Sequence, residues 1–420
     1  MRITLLTYGS RGDVQPFLAL AQALQNSGHT PLLAAPHRFS NLAAEYAIPF
    51  FPLPGDPEEL SIRINDSRQN MFKLIESMSD FVISIAGPVW QAVKSACATA
   101  ELIVHSFLFT TGAHSLAREL GIPDVSVQLF PVFAPTQAFP MIALPDLPPG
   151  PISYASHWFS TQLFWRVGKA GFQRLRANDP DLFKLTLAWP FDWRKAEKSN
   201  RHPTPLIFAY SPSLLPRPND WTNPNIHLTG YFFAQTPKNY TPSAELQAFL
   251  DKGSPPVCIT FGSMISKEAR HITELVQSAL QICGMRGVFL TGWGGIEIHS
   301  ANLFSVPAAP HEWLLSHCSA IIHHGGAGTT AASLRAGIPN VIIPHGADQP
   351  FWGRCVARAG AGPEPLDIHH LTAQNLVDAL AKTQLPAIQT RARQLAACLE
   401  EENGTQAAVQ ILENLAQTFY

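Results

Sequence analysis

The chain has 420 residues, more than one compact core usually holds, so two domains are expected. Hydrophobic residues make up 46% of the chain and charged residues 14%, a composition typical of folded proteins with large cores. Its 29 basic and 31 acidic side chains nearly balance, so the chain lacks the basic surface of a nucleic-acid-binding protein, and that class of partner is excluded.

The N-terminal segment predicts a strand, a loop, a helix and a second strand. Residues 3–8 ("ITLLTY") are a short apolar run, residues 14–29 repeat apolar side chains at helical spacing, and residues 30–36 return to a strand pattern. The first run is followed by glycines and charges, which indicates a strand rather than a signal peptide. No apolar stretch reaches the length that spans a bilayer.

The cysteine pattern indicates the compartment. The six cysteines are scattered without close pairs, which predicts reduced thiols rather than a disulfide framework or a zinc site. Together with the absence of a signal pattern, this predicts a cytoplasmic protein.

The strand–helix alternation recurs over residues 101–130 and predicts an α/β domain of Rossmann type over residues 1–225. Residues 211–256 are dense in Pro, Asn and Thr, which marks a domain boundary, and residues 226–255 are predicted to be the linker. The alternation restarts over residues 256–400, and residues 401–420 are expected to form a C-terminal helix that packs back on the first domain. The predicted fold class is therefore α/β, with two Rossmann-like domains that face each other across a cleft.

In open parallel sheets, ligands bind beyond the carboxyl ends of the strands. Three predicted strands are followed by loops rich in small and polar residues. The loops are Gly9–Asp13 ("GSRGD"), residues 261–264 ("FGSM") and residues 323–330 ("HHGGAGTT"). These loops are the candidate binding segments.

The third loop has the composition of a phosphate site. Its glycines allow backbone N–H groups to approach a ligand closely, and the predicted helix after it directs its positive end to the same place. His324 and the hydroxyl of Thr329 are further donors. The alternative is a glycine-rich turn that only joins a strand to a helix.

Two ligands fit this loop. Residues 326–331 match the dinucleotide pattern G-x-G-x-x-A, and Asp348 lies twenty residues beyond Gly328, where a ribose-binding carboxylate is expected. Such a pattern normally opens its domain, however, whereas this loop follows several strands. The adjacent Asp348 and Gln349 offer acceptors and donors suited to sugar hydroxyls. A phosphate cradle beside a hydroxyl-binding pair indicates a sugar nucleotide.

The motifs together resemble those of nucleotide-sugar glycosyltransferases of the GT-B fold, in particular sterol glucosyltransferases and bacterial enzymes that glycosylate lipids and natural products. The resemblance rests on five stretches in this order, "GSRGDVQPFLALA" (9–21), "FGSM" (261–264), "PHEWLL" (310–315), "HHGGAGTTAASLRAGIP" (323–339) and "HGADQPFWG" (345–353). It extends over essentially the whole chain.

The resemblance implies an inverting transfer without a metal ion or other cofactor, from a UDP-sugar, with UDP-glucose expected, or from a TDP-sugar. Asp13 would be the general base, in a loop that also contains Gly9, Ser10, Arg11 and Gly12; the alternative is that Asp13 only caps the helix predicted from Val14. The residues expected to hold the donor are Ser263, His324, Gly326, Ala327, Gly328, Thr329, Asp348 and Gln349.

Two regions depart from the family pattern. Plant relatives stack the nucleotide base on a tryptophan, and the matching position in this chain is not a tryptophan. Backbone groups from Val306 to His311 are therefore expected to contact the nucleotide base. His105 stands where plant relatives often have an aspartate that orients a catalytic histidine. It is either a catalytic or acceptor-site residue or a packed histidine at a strand end.

The acceptor is expected to bind to the first domain and to be an apolar molecule with a hydroxyl group, such as a sterol, lipid or polyphenol. Residues 50–193 are rich in Phe and Trp, although most of these are expected in the core. The proline-rich apolar segment 129–152 leaves open a peripheral membrane contact. The other functions considered are an epimerase or phosphorylase on the same architecture and a non-catalytic protein that binds lipids or sugar nucleotides.

Overall fold

The computed structural model describes residues 1–57, 71–181, 184–193, 202–235, 240–261, 267–291 and 302–419. The chain divides into two compact units. Unit 1 comprises residues 1–212, 217–235 and 403–420, and unit 2 comprises residues 213–216 and 236–402.

Unit 1 is a seven-stranded, all-parallel sheet covered by helices. Its strands are β1 (Arg2–Leu6), β2 (Thr30–Pro36), β3 (Phe50–Leu53), β4 (Leu102–His105), β5 (Asp124–Gln128), β6 (Leu206–Phe208) and β7 (Ile226–Leu228). Its helices in the described residues are α1 (Arg11–Asn26), α2 (Ser40–Glu45), α3 (Met71–Ala96), α4 (Thr110–Leu120), α5 (Pro151–Asn178) and, at the C-terminus, α13 (Gly404–Phe419). The strand order is β3-β2-β1-β4-β5-β6-β7.

Unit 2 contains a five-stranded parallel sheet with the same winding. Its strands are β8 (Val257–Thr260), β9 (Gly287–Leu290), β10 (Leu303–Val306), β11 (Ala320–His323) and β12 (Asn340–Ile342). Its helices are α6 (Ala244–Asp251), α7 (Lys267–Ile282), α8 (His311–Leu315), α9 (Ala327–Arg335), α10 (Gln349–Arg358), α11 (Ala373–Thr383) and α12 (Pro386–Glu401). The order β10-β9-β8-β11-β12 repeats the order of the first five strands of unit 1.

The apolar periodicity of the sequence explains these layers. The strands are short and apolar on both faces because helices cover both sides of a parallel sheet. In unit 1, Phe17 and Leu20 of α1 are completely buried in the same cluster as Val409 and Leu412 of α13. The C-terminal helix therefore contributes to the core of unit 1.

The structure corrects the predicted boundary at residue 225 and the linker over 226–255. Ile226–Leu228 pairs with β6 and is part of the first sheet. Farther along, Leu246 and Phe249 of α6 pack with Cys258 and Val288 in the core of unit 2. Pro, Asn and Thr mark turns in this segment, but enough apolar residues lie between them to form a strand and a helix.

The winding determines where ligands can bind. In each sheet the connections reverse direction once, between β1 and β4 in unit 1 and between β8 and β11 in unit 2. At such a switch point, the loops beyond neighbouring strands diverge and leave a crevice. The loops after β1 and β11, both selected from the sequence, lie at the two switch points.

Candidate active site

Asp13 lies in the first turn of α1, directly beyond β1. Its Oδ2 accepts a hydrogen bond from the backbone N–H of Ser10 at 2.7 Å and another from the Ser10 hydroxyl at 2.9 Å. Ser10 is the N-cap, so α1 begins at Arg11, three residues before the predicted start at Val14. Asp13 thus closes a capping box rather than acting as the N-cap itself.

The protonation of Asp13 is set by two opposing effects. Burial raises the pKa of the carboxyl group above its ordinary value, and the two hydrogen bonds from Ser10 partly offset this rise. Both hydrogen bonds from Ser10 end on Oδ2 of Asp13. The side chain is half-buried, so a carboxylate oxygen of raised basicity is available to a ligand.

The backbone of this loop passes close to the Asp13 carboxylate at Gly9. Gly9 has a φ of 145°, and a Cβ atom at this position would come within 2.3 Å of Oδ2 of Asp13. Only glycine therefore allows the chain to pass so near the carboxylate. Gly12 is half-buried, and the exposed Arg11 donates to Gln15 at 3.2 Å.

His105 ends β4, at the switch point of the first sheet, but its ring turns into the protein. The side chain is completely buried, and its Nε2 lies 3.0 Å from Oδ2 of Asp124. His114 of α4 and Thr204 contact the same carboxylate. Burial acts to raise the pKa of Asp124, but its electrostatic interactions and hydrogen bonds with His114 and His105 outweigh burial and keep this pKa well below its usual value. This placement favours the interpretation of His105 as a packed histidine at a strand end.

The loop after β11 has the geometry of an anion site. Gly326 is the N-cap of α9, and the half-buried residues Ala327, Gly328 and Thr329 form its first turn. Backbone N–H groups in the first turn of a helix have no partner within the helix, so they are available to an anion. The Thr329 hydroxyl makes no hydrogen bond with the described part of the chain.

His324 precedes this turn and is uncharged at neutral pH. Desolvation of the ring lowers the pKa of His324 to about 4, although a hydrogen bond with the backbone of Thr260 opposes this effect. Its Nδ1 is buried and lacks a hydrogen-bond partner among the described residues. A Cβ atom on Gly326 would come within 2.5 Å of Nε2 of His324, so this glycine is needed for the ring to occupy its place.

A buried polar network holds the base of this loop. His323 contacts Oδ1 of Asn340 through Nε2 at 2.9 Å, and its Nδ1 accepts the N–H of Gly325 at 3.2 Å. The hydroxyl of Ser333 on α9 donates to the same Oδ1 atom. The network ties β11, β12 and α9 together, and the sequence did not single out Asn340 or Ser333.

Asp348 and Gln349 lie beyond β12, at the start of α10. The Asp348 carboxylate accepts from Nε1 of Trp352 at 3.0 Å, and Oε1 of Gln349 accepts from the backbone N–H of His345 at 2.7 Å. Both side chains are half-buried. The preceding Ala347 has a φ of 55°, a strained conformation for a residue with a Cβ atom. Two hydrogen bonds and a strained turn therefore fix the orientation of this pair.

The residues expected to contact the nucleotide base lie farther along the sheet of unit 2. Val306 ends the edge strand β10, is buried, and its carbonyl accepts the N–H of Thr291 at 3.0 Å. His311 begins α8; burial is the main cause that lowers the pKa of His323, and an electrostatic interaction with His311 adds a small contribution in the same direction. Ser263 and the rest of the loop after Phe261 lie outside the described residues.

An aromatic cluster follows β4 and β5 in unit 1. Its rings lie 4.8 to 5.5 Å from their neighbours. The members are Phe107, Phe130, Phe133, Phe164, Trp189 and Phe191. Phe133 has a φ of 66°, which is unusual for a bulky side chain. Four members are only half-buried, so the cluster offers an apolar surface at the carboxyl edge of the sheet.

The sequence predictions missed this cluster as a unit. Phe107 and Phe130 each follow a strand of unit 1, and the strand-end rule that selected Asp13 would have selected them as well. Phe164 is on α5 and Trp189 is in a loop, so only the folded chain shows that they join the same cluster.

Two further observations concern metals and membranes. Asp179 and Asp181, which match a D-x-D pattern, are both exposed just beyond α5. Among the described residues, no group of three or more His, Cys, Asp or Glu side chains could hold a metal ion. No described helix is both long and apolar enough to cross a membrane.

Comparison with known families gives two matches, one to each half of the chain. Residues 3–118 match the glycosyltransferase family 28 N-terminal domain. This matched range contains Asp13 and His105. Residues 299–415 match the C-terminal domain of erythromycin biosynthesis protein CIII-like proteins, which includes the loop after β11 and Asp348–Gln349.

Two curated relatives are similar over nearly the whole chain. A sterol 3-beta-glucosyltransferase of Arabidopsis thaliana is 33% identical over 97% of this chain and 67% of its own length. The O-mycaminosyltylonolide 6-deoxyallosyltransferase of Streptomyces fradiae is 32% identical over 100% of this chain and 98% of its own. The chain spans 64% of a second Arabidopsis thaliana sterol glucosyltransferase and less than a third of the fungal ones.

Solved structures share the fold. A calicheamicin glycosyltransferase superimposes with a TM-score of 0.69 at 15% identity, covering 99% of this chain and 98% of its own. A Streptomyces glycosyltransferase complexed with thymidine diphosphate gives a TM-score of 0.62 at 18% identity, with 99% of both chains covered. The chain belongs to the nucleotide-sugar glycosyltransferases of the GT-B fold, in the group that contains sterol glucosyltransferases and bacterial natural-product glycosyltransferases.

Proposed function

We propose that the protein transfers a hexose from UDP-glucose to a hydroxyl group of an apolar small molecule, with inversion at the anomeric carbon. The observation that carries this proposal is the loop after β11, where a neutral histidine and the first turn of α9 converge at the switch point of the second sheet. A nucleoside diphosphate provides the negative charge that such a site attracts.

The leaving group would be stabilised by unit 2. The anomeric carbon–oxygen bond breaks toward the diphosphate, and the growing negative charge is met by N–H groups of α9, the Thr329 hydroxyl and His324. Asp348 and Gln349, held by Trp352 and by the His345 backbone, would bind hydroxyls of the sugar. In this mechanism helix dipole and hydrogen bonds stabilise the leaving group, and no metal ion is required.

Asp13 would act as the general base. The acceptor oxygen attacks the anomeric carbon from the face opposite the diphosphate, and its proton moves to the carboxylate of Asp13 as the new bond forms. The raised pKa of Asp13 makes it a better base than an ordinary carboxylate, and such catalysis contributes roughly 10²–10⁴-fold. The aromatic cluster would supply the apolar surface for the acceptor.

A TDP-sugar is the second candidate donor. It is supported by structural neighbours complexed with thymidine diphosphate. The Streptomyces fradiae relative, which this chain covers almost completely and which is named a 6-deoxyallosyltransferase, supports a deoxysugar. The plant relatives, named sterol glucosyltransferases, support glucose and a sterol acceptor.

The test is a donor and acceptor panel read by mass spectrometry. The purified protein is incubated with UDP-glucose, UDP-galactose, UDP-N-acetylglucosamine or TDP-glucose, together with sterols, flavonoids, lipid alcohols and a hydrophilic sugar. We expect a glycosylated apolar acceptor with UDP-glucose. Equal rates with the hydrophilic sugar would contradict the apolar acceptor, and turnover of the donor without any acceptor would favour an epimerase or phosphorylase. Binding of UDP without a product from any pair would favour a non-catalytic protein.

A further inference from the structure

Helix α5 carries an exposed apolar face. Eleven large apolar side chains are exposed among the described residues, and six of them lie in a single stretch of sixteen residues inside this helix. They are Ile152, Tyr154, Trp158, Phe159, Leu163 and Val167, and their exposed fractions range from 46% to 71%. Such a concentration marks an interaction surface rather than scattered surface residues.

The six side chains lie on the exposed sides of α5 and are named here the α5 apolar face. Ile152, Phe159, Leu163 and Val167 recur at intervals of seven, four and four residues and therefore share one side of the helix. Tyr154 and Trp158, one turn apart, are exposed on nearly the opposite side of the helix from this stripe. Two of the six are thus Trp and Tyr, side chains that favour the boundary between water and hydrocarbon.

The side of α5 between these two exposed groups attaches the helix to unit 1. Ser153 and His157 are buried, and Nε2 of His157 donates to the carbonyl of Phe139 at 3.0 Å. Phe164 joins the aromatic cluster, and Phe172 packs edge-on against Trp90 at 6.5 Å. These contacts orient the α5 apolar face outward.

The charges on α5 identify the partner. The helix has 28 residues and contains no acidic side chain, whereas Arg166, Lys169 and Arg174 are exposed in its second half. The first acidic residues follow the helix, at Asp179 and Asp181. A helix with apolar and aromatic side chains in one half and uncompensated basic charge in the other fits the surface of a bilayer that contains anionic lipids.

We propose that the α5 apolar face is a membrane-docking surface, on which the protein binds to an anionic lipid bilayer without crossing it. The apolar side chains insert at the boundary between headgroups and acyl chains, and the three basic residues contact lipid phosphates. Because Phe164 of the same helix belongs to the aromatic cluster, docking would bring that cluster within about one helix diameter, roughly 10 Å, of the lipid. Only this last consequence rests on the proposed acceptor.

The test is flotation of the full-length protein with vesicles, without donor or acceptor. Vesicles of phosphatidylcholine alone are compared with vesicles that also contain about 30 mol% phosphatidylglycerol, at low salt and in about 0.5 M NaCl. We expect binding to the anionic vesicles that weakens in high salt. Since transfer is not measured, failure of this test and failure of the proposed function are distinguishable.

Two variants and their matched controls separate the contributions. Trp158→Ser/Phe159→Ser/Leu163→Ser should lower the vesicle-bound to free ratio more than tenfold, whereas Ile282→Ser/Leu385→Ser, at positions 64% and 50% exposed on unit 2, should not change it. Arg166→Gln/Lys169→Gln/Arg174→Gln should lower binding to the anionic vesicles by roughly fivefold per charge. Lys252→Gln/Lys382→Gln/Arg393→Gln, which removes three exposed charges from unit 2, is its control.

Three results would overturn the proposal. The first is absence of binding to anionic vesicles, and the second is equal binding by the wild type and the α5 serine variant. The third is a concentration-dependent dimer in light scattering that the serine variant abolishes while vesicle binding stays absent, which would identify a second copy of the chain as the occupant.

Discussion

Asp13 and Ser10 are joined by two hydrogen bonds that end on the same carboxylate oxygen, Oδ2, at 2.7 and 2.9 Å. The bonds cap α1 and also lower the pKa of a carboxylate that burial raises. Helix capping and tuning of the base are therefore performed by the same pair of residues.

The first prediction is the pH dependence of a Ser10→Ala variant. Loss of the hydroxyl removes one hydrogen bond to the carboxylate form, so the pKa of Asp13 rises. The active form of a general base is unprotonated, and the acid limb of the kcat/KM profile should move to higher pH while the rate on the alkaline side of that limb is retained. The profile is measured with the acceptor identified from the panel.

Loss of the Ser10 side chain at the N-cap of α1 would also lower the free energy of unfolding, by about 1 kcal/mol. The control is Ser243→Ala, which removes the N-cap of α6, where the side chain accepts the N–H of Leu246. It should lower stability similarly without moving the pH profile. An unmoved profile in Ser10→Ala would contradict the proposed role of Asp13.

The second prediction concerns Asp13 itself. Asp13→Asn keeps the size of the side chain and an oxygen that can accept from Ser10, but removes the base. Transfer should fall by roughly 10²–10⁴-fold, and binding of UDP, measured by calorimetry, should remain within twofold of the wild type because unit 2 provides the donor site. Unchanged transfer would exclude Asp13 as the base.

The third prediction tests the close approach of Gly326 to His324. In Gly326→Ala the new methyl group would come within 2.5 Å of Nε2, so the imidazole must move away from the first turn of α9. We expect at least a tenfold weaker affinity for UDP. Gly168→Ala is the control, since a Cβ atom at this helical position meets no atom within 4 Å. Normal UDP binding by Gly326→Ala would show that His324 does not contact the diphosphate.

The fourth prediction separates the sugar from the nucleotide. Asp348→Asn retains an oxygen for Nε1 of Trp352 but loses the charge that would bind sugar hydroxyls. It should lower kcat/KM with UDP-glucose at least tenfold and leave the affinity for UDP, which lacks the sugar, unchanged. Asp367→Asn, at an exposed cap of the same unit, should alter neither quantity. An equal loss for UDP and UDP-glucose would indicate distortion of the whole donor site.

These residues also show how far the sequence could be used to predict the molecule. The alternation of apolar strands and helices predicts both sheets, because strands such as β1, β4 and β8 are mainly apolar runs and helices such as α1 repeat apolar residues at helical spacing. The strand-end rule identifies the loops at Asp13 and His324 without knowledge of the strand order. Both of these signals are local and therefore visible in the sequence.

Other features depend on contacts between distant residues. His105 could not be assigned from the sequence, because its orientation is set by Asp124 and His114, which follow it by nineteen and nine positions. The linker prediction was wrong because Ile226–Leu228 is only three residues long and becomes a strand by pairing with β6. The α5 apolar face was not predicted because a helix with apolar residues on two sides does not show which side is buried.

The last prediction concerns acid stability and follows from His323 and His324. Desolvation lowers the pKa of His323 to about 3 and that of His324 to about 4, both below the ordinary value of 6.5. In the unfolded chain these residues bind protons as the pH falls below 6.5, whereas in the folded chain they stay neutral until the pH approaches the lowered values. The contribution of these two uncharged histidines to the free energy of unfolding is therefore fully present above about pH 6.5. It is lost as the pH falls from there toward 4, by about 2 kcal/mol per histidine at pH 5.

His324→Gln is the variant that measures this effect. A glutamine does not titrate, so its thermal midpoint should decrease less between about pH 7.5 and pH 5 than that of the wild type, by the share that His324 contributes. The matched control is His369→Gln, at an exposed position of unit 2, which should keep the full decrease. A decrease in His324→Gln as large as in the wild type would mean that His324 is protonated in the folded protein, and a charged imidazolium would then face the diphosphate before the donor binds.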